Sequence, residues 1–167
     1  EQIQGSTLPI ILDADAINIL STHRNWLGRI PKRCILTPHL GELERLVGKC
    51  MDTYERLTKV KELAAYLQSY IIVKGAWTTI VTPEGKFYFN PTGNPGMATG
   101  GSGDVLTGIL LGLASQGYNQ EEACKLGVYI HGLAGDIAAE KMTEISMTAH
   151  DIVDALPSAW KKIMHKV

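Results

Sequence analysis

Cysteine is scarce in this chain and badly placed for a scaffold. There are three, Cys34, Cys50 and Cys124, an odd number, far apart and in no metal-ligand spacing, so neither a disulfide framework nor a structural zinc site is expected. They read as buried thiols in a reducing compartment, which makes the expected location the cytoplasm. Long apolar runs are also missing. The most apolar stretch, residues 105–114, falls short of the roughly 18 residues of a membrane span and is interrupted by Gly108 and Gly112, so no membrane partner is expected. Nor is there an excess of positive charge: 16 Lys and Arg against 17 Asp and Glu give a net charge of -1. No global field is available to hold nucleic acid, and any anion has to be bound locally. Residues 1–4 carry no basic segment leading into an apolar core, which argues against a secretory signal. An initiator Met is missing too, which suggests a fragment or a processed chain. What is present is the balance of a globular domain, 45% hydrophobic and 20% charged over 167 residues, a length that fits one domain.

The hydrophobic pattern alternates between short strands and longer helices. Residues 9–13 read as a buried strand ending in polar residues, followed by a helical segment at 16–20. A second strand over 34–37 stops at Pro38. Leu57, Val60, Leu63, Ala64 and Leu67 keep helical spacing, with Asp52 and Glu55 as a capping pair. Residues 70–74, 78–82 and 86–90 are β-rich, and Pro83, Glu84 and Gly85 supply the turn between the last two, so a strand followed by a hairpin is expected. From Asp104 the pattern is helical again, over 104–115 and then 119–141, the latter with Asn119 and Glu122 as a capping box. Thr148 and Asp151 repeat that signal before Ile152, Val153 and Leu156. Strands separated by helices, with a helical finish, indicate an α/β layered domain with a largely parallel sheet.

One segment carries more chemistry than the rest. The stretch NPGMATGGSGD (94–104) is a glycine-rich loop that runs directly into a buried helix. Glycines at 100, 101 and 103 let backbone N–H groups converge on a ligand where side chains would clash, and the helix start adds free donors and a partial positive charge. The pattern is neither a P-loop, lacking Lys-Ser/Thr, nor a Rossmann fingerprint, since it does not follow a first strand. An acid beside a phosphate site would repel the ligand, and Asp104 makes sense there as a general base receiving a proton from an attacking hydroxyl. The plainer alternative is an acid favoured by the helix dipole in the first turn.

The whole set of motifs, GNPGMATGGSGD (93–104), DAD (13–15), TPHLGE (37–42), KGAWT (74–78), HGLAGD (131–136) and AHDIVDALP (149–157), resembles the NAD(P)H-hydrate dehydratase family over almost the whole chain. The resemblance implies a ribokinase-like three-layer α/β/α fold, with a central, mostly parallel sheet covered by helices on both faces. It implies a hydro-lyase of metabolite repair that uses ADP or ATP to dehydrate the S form of hydrated NADH or NADPH, phosphorylating the added hydroxyl and expelling phosphate. Residue by residue, it places Asp104 and His39 at the hydrated dinucleotide, with Asp104 as the catalytic group. Gly103 falls at the adenine nucleotide together with Gly100, Gly101 and Ser102, and Lys74, Gly75, Ala76, Trp77 and Thr78 lie along it.

Several of these residues have a second reading. His39 follows a strand and a Pro-fixed turn, where ligand-binding residues gather in α/β proteins, yet a lone loop histidine is more often solvated. Lys74 ends an apolar strand and is either a phosphate ligand or an ordinary strand-end lysine. Asp13 and Asp15 organise the substrate site or a Mg²⁺ shell, or else cap the following helix. Glu42 is a candidate for orienting Mg²⁺ through water or a helix cap. His131 and Asp136 read as packing and hydrogen-bonding residues of an amphipathic helix.

The family's domain is longer at its N-terminus, so residues 1–167 read as the C-terminal portion of one such domain, unstable alone because a sheet edge and an apolar surface would be exposed. A homo-oligomer and a fusion to an NAD(P)H-hydrate epimerase domain are further expectations. Two other functions compete: a ribokinase-like small-molecule kinase of the hydroxymethylpyrimidine or hydroxyethylthiazole type, and a nucleotide-binding module without catalysis.

Overall fold

The computed structural model describes Ser6 and residues 10–164; Pro9 of the expected first strand lies outside them. Five strands, β1 (Ile11–Leu12), β2 (Ile35–Leu36), β3 (Tyr70–Val73), β4 (Thr79–Val81) and β5 (Phe87–Phe89), form one sheet in chain order. Six α-helices are interspersed: α1 (Ala14–Thr22), α2 (Leu40–Val47), α3 (Thr53–Leu67), α4 (Ser102–Ser115), α5 (Gln120–Ser146) and α6 (Ala149–Met164). Short 3₁₀ turns occupy Arg24–Arg29 and Pro95–Met97.

The sheet is more mixed than the sequence suggests. β1, β2 and β3 pair in parallel, whereas β3 with β4 and β4 with β5 pair antiparallel. Connection length decides this. Helices fill both crossovers between the parallel strands, while only residues 74–78 join β3 to β4, far fewer than the dozen or so a parallel crossover needs. The expected hairpin is therefore the outer part of a three-stranded meander. Its turn closes through the Gly85 N–H bonding to the Thr82 carbonyl at 2.9 Å, with Gly85 at φ 79°.

Period-two alternation sorts the strand side chains to two faces. Leu12, Leu36, Ile71, Val73 and Val81 pack with Ile17 and Leu20 of α1, Leu43 and Leu46 of α2, and Val60, Leu63 and Leu67 of α3. On the other face, Ile35, Tyr70, Ile72 and Ile80 meet Leu106 and Leu110 of α4 and Cys124 and Val128 of α5. The result is the expected helix–sheet–helix layering. α6 adds a third cluster by laying Ile152, Ala155 and Ala159 on Ile130, Leu133, Ala134 and Ile137 of α5. Fully burying a side chain such as Leu110 contributes about 1.5–3 kcal/mol, so the layers are held mainly by these apolar faces.

The caps follow the sequence closely. Asp52 accepts from the Glu55 N–H at 2.7 Å, while the Glu55 carboxylate reaches back to the Met51 N–H at 2.7 Å. Asn119 and Glu122 form the reciprocal box at the start of α5, and Asp151 accepts from both the N–H and the hydroxyl of Thr148. α5 runs further than expected, with a non-helical residue at Thr143 (φ 66°). Cys34 and Cys124 are buried and all three thiols are free. Burial pushes the Cys34 thiol up to about 11 and that of Cys124 up as well, so both stay protonated near neutrality. No described helix is long and apolar enough to cross a membrane.

Candidate active site

The carboxyl ends of β1, β2 and β3 meet the start of α4, the place where ligands bind in open α/β sheets. Asp13 follows β1, His39 lies three residues past β2, and Lys74 follows β3. His39 and Lys74 are joined by an isolated parallel bridge, in which the Lys74 N–H donates to the Pro38 carbonyl at 2.8 Å. The glycine loop comes from the other side of the chain. Its Gly101 stands at φ 87°, a left-handed conformation that turns the chain into α4.

The loop presents donors without blocking them. The N–H groups of Gly103 and Asp104 have no partner among the described residues, and a Cβ placed on Gly100 would meet nothing within 4 Å. With the positive end of the α4 dipole behind them, these groups make a cradle whose donors and field suit an anion. Ser102 points the other way. It is buried, its hydroxyl lies 3.3 Å from His131 Nε2, and its N–H donates to the Thr99 carbonyl at 3.3 Å. Its place is beneath the loop, and its hydroxyl is turned inward from the cradle.

His131 anchors that turn. Its Nε2 lies 2.9 Å from the Ser102 carbonyl, an oxygen that can only accept, so Nε2 carries the proton. Burial is the main reason its basicity drops to about 4; the Ser102 carbonyl pulls against the shift and the Lys74 charge adds to it. The imidazole is therefore neutral at ordinary pH. Asp136, one turn further along α5, accepts from the Gly93 N–H at 3.0 Å and from Asn94 Nδ2 at 3.1 Å, fixing where the loop begins. The packing and hydrogen-bonding roles read for His131 and Asp136 are the observed ones.

Asp13 and Lys74 form the charged centre. Lys74 Nζ donates to Asp13 Oδ1 at 2.8 Å, with both side chains mostly out of solvent. The same carboxylate caps α1 by accepting from the Ala14 N–H at 2.9 Å and takes a hydrogen bond from Thr107 Oγ1 at 2.9 Å. Burial by itself would raise its pKa, but the Lys74 bond and charge, with the nearby Thr37 hydroxyl and the Thr107 hydrogen bond, bring it below the usual carboxylate value. A Cβ on Gly103 would lie 3.2 Å from Lys74 Nζ, so the ion pair sits directly under the glycine loop. Asp104 contrasts with Asp13: it is exposed and its carboxylate has no hydrogen-bond partner among the described residues.

The remaining candidates divide. Gly75, Ala76 and Trp77 are exposed on the β3–β4 loop, and Thr78 braces it by donating to the Gly75 carbonyl at 3.1 Å. A cavity of about 390 Å³ opens beside this loop, lined in part by Leu40, Arg56, Leu57, Trp77 and Phe89; the glycine loop does not line it. His39 and Glu42 cap α2 together. His39 Nδ1 accepts from the N–H groups of Gly41 and Glu42 at 3.0 and 3.3 Å, and Glu42 Oε2 accepts from the His39 N–H at 2.8 Å. Glu42 is buried in that cap, so the cap alternative describes its place. No group of three or more carboxylate, imidazole or thiol side chains suited to a metal ion occurs among the described residues. Thr107 was not a sequence candidate. Its partner is 94 residues away, and nothing local marks it.

Comparison with known proteins identifies the family. The family model of the NAD(P)H-hydrate dehydratases matches residues 1–158. The chain is 44% identical over 162 residues to the bifunctional NAD(P)H-hydrate repair enzyme Nnr of Moorella thermoacetica, covering 96% of this chain and 31% of that protein. It is 38% identical to the ADP-dependent (S)-NAD(P)H-hydrate dehydratase of Bacillus subtilis, over 97% of this chain and 58% of the relative. The crystal structure of the ADP/ATP-dependent dehydratase from B. subtilis, co-crystallized with ATP/Mg²⁺, superimposes with a TM-score of 0.79 at 37% identity, covering 92% of this chain and 55% of that one. The chain thus spans between about a third and three fifths of the length of these relatives. Its fold is the ribokinase-like α/β/α arrangement, and the chain belongs to the NAD(P)H-hydrate dehydratase family.

Proposed function

We propose that the protein dehydrates the S form of hydrated NADH or NADPH back to the reduced dinucleotide, using ADP or ATP, and so acts as a hydro-lyase of metabolite repair. The observation that carries this reading is the pairing, at one helix start, of an unblocked anion cradle with a free carboxylate. The cradle of Gly100, Gly101 and Gly103 takes the nucleotide phosphates, with Lys74 beneath and residues 75–78 alongside; Ser102 supports it from below. Asp104 faces solvent at the same helix start, free to accept the proton of the substrate hydroxyl as that oxygen attacks the terminal phosphorus and the phosphoanhydride bond breaks. Phosphate then leaves with the electrons of the C–O bond, and loss of a proton from the neighbouring carbon restores the ring double bond. His39, exposed at the mouth of β2, is proposed to meet the hydrated dinucleotide. Asp13, spent on Lys74 and two further donors, serves the site from within rather than as a direct substrate ligand.

Mg²⁺ fits this scheme as an ion carried by the phosphates, since hard cations at such sites keep waters and substrate oxygens as ligands. Glu42, held in the α2 cap, is left out of the proposed site. Residues 1–167 are proposed as the C-terminal portion of one dehydratase domain, as the partial coverage of the relatives supports. The bifunctional relatives support fusion to an epimerase domain, and a homo-oligomer is part of the proposal. The reducing surroundings that two buried free thiols suit support a cytoplasmic location.

The test is an absorbance assay on the intact protein with hydrated NADH, with and without ADP or ATP. Return of the reduced-nicotinamide absorbance only with nucleotide supports the proposal. A phosphorylated product that persists without that absorbance would instead indicate a kinase of the same fold.

A further inference from the structure

Thr107 lies in the first turns of α4, outside every motif that marks the site. Its hydroxyl donates to Asp13 Oδ2 at 2.9 Å, while Asp13 Oδ1 receives Lys74 Nζ at 2.8 Å and the Ala14 N–H at 2.9 Å. Three elements distant in sequence, the ends of β1 and β3 and the start of α4, are joined through one carboxylate. The lysine needs such a tether. Its stem is long and flexible, and the positive end of the α4 dipole pushes an ammonium away. Asp13 offsets that repulsion, but the Ala14 N–H holds only its Oδ1, and a carboxylate held at one oxygen can still turn about its last torsion. The Thr107 bond fixes one oxygen and so leaves the other aimed at Lys74. The ammonium is thereby held 3.2 Å from where a Cβ of Gly103 would stand, under the loop that offers free N–H groups.

We propose that Thr107 is a positioning residue for nucleotide binding: it orients Asp13, and Asp13 holds the Lys74 ammonium beneath the Gly100, Gly101 and Gly103 cradle where the terminal phosphates sit. This rests on the nucleotide reading given above. Thr107 touches neither the glycine loop nor Asp104 in this arrangement and acts only through the placement of the Lys74 ammonium, so its expected readout is nucleotide affinity rather than the chemical step.

The experiment measures ADP and ATP affinity by calorimetry, with steady-state kinetics and thermal melting, on the intact wild-type protein and on Thr107→Val, Thr107→Ser, Lys74→Met and the Thr107→Val/Lys74→Met double variant. Wild-type binding of adenine nucleotide tests the underlying reading by itself, and its absence removes both that reading and this proposal. Given that binding, Thr107→Val should weaken nucleotide affinity about tenfold, the order expected for one hydrogen bond to a charged group. KM for the nucleotide should rise in step, with kcat held within about twofold. Thr107→Ser should restore affinity. In the Lys74→Met background the Val change should add nothing, because its route to the nucleotide is gone. An equal loss in both backgrounds would overturn the proposal and make Thr107 a structural residue, as would unchanged affinity in a folded Thr107→Val protein. Should the Val variant not fold, Thr107→Ala carries the same cycle.

Discussion

Asp13 and Asp104 are both aspartates at the start of a helix, and they are used in opposite ways. Asp13 caps α1, is mostly buried, and accepts from Ala14, Lys74 and Thr107. Asp104 stands in the first turn of α4, exposed and without a hydrogen-bond partner among the described residues. A carboxylate whose lone pairs are taken is a structural fixture, held ionised by its partners. One left free beside unpaired N–H groups is available to a ligand. The difference teaches that position at a helix start does not set an acid's role; the donors that reach it do.

The sharpest break of this comparison is Asp104→Asn. The amide keeps the size and the helix start but cannot accept a proton near neutrality, so single-turnover dehydration should slow by about 10²–10⁴-fold, with melting temperature and nucleotide affinity preserved. Near-normal turnover would return Asp104 to a dipole-favoured surface acid.

A smaller effect is expected at His131, the other saturated group of the site. Its folded pKa is about 4 against roughly 6.5 in the unfolded chain. Below pH 6.5 the unfolded chain takes up a proton that the folded site refuses, so this stability is complete above 6.5 and declines toward pH 4, by about 1.4 kcal/mol per unit. Denaturant unfolding across that window should show a shallower pH slope for His131→Gln than for the wild type. Equal slopes would mean that the buried imidazole titrates normally.

The smallest of the three concerns Asp13→Ala. Removing the carboxylate strips Lys74 and Thr107 of their acceptor and α1 of its cap; with both charges partly reachable by solvent, the loss should be about 2 kcal/mol. Urea denaturation checks it. The pattern that supports the comparison is split: Asp13→Ala costs stability and weakens nucleotide affinity at least as much as Thr107→Val, with the single-turnover rate at saturating nucleotide little changed, whereas Asp104→Asn keeps stability and affinity and loses the rate.

Much of the fold was legible in the sequence because its determinants are local. The Asp52–Glu55 and Asn119–Glu122 caps, the alternation of Ile71 and Ile72, and the turn at Gly85 each need only neighbours within a few residues. The antiparallel β4–β5 hairpin was legible from its turn, whereas the antiparallel pairing of β3 with β4 follows from the short link over residues 74–78, a constraint of chain length rather than of residue type. The site was legible in part. The glycine loop announces itself by composition, and Asp104 by its place after it. The His39 side chain, expected to serve a ligand, also accepts from Gly41 and Glu42 as the cap of α2, a role that histidine seldom takes and that its residue type does not signal. Ser102 was expected among the nucleotide contacts; that its hydroxyl lies against His131, 29 residues on, is a contact only the fold supplies. Thr107 was invisible for the same reason: only the fold brings it to Asp13.

The central claim is that adenine nucleotide sits on the glycine loop at the start of α4. The most direct measurement is a titration of the intact, backbone-assigned and ¹⁵N-glycine-labelled protein with ADP and Mg²⁺, following the amide resonances. Saturable shifts of Gly100, Gly101 and Gly103, with Gly75 beside them and Gly28 and Gly48 unmoved, are the predicted result. Unchanged loop resonances under conditions where calorimetry records binding would place the nucleotide elsewhere and contradict the account.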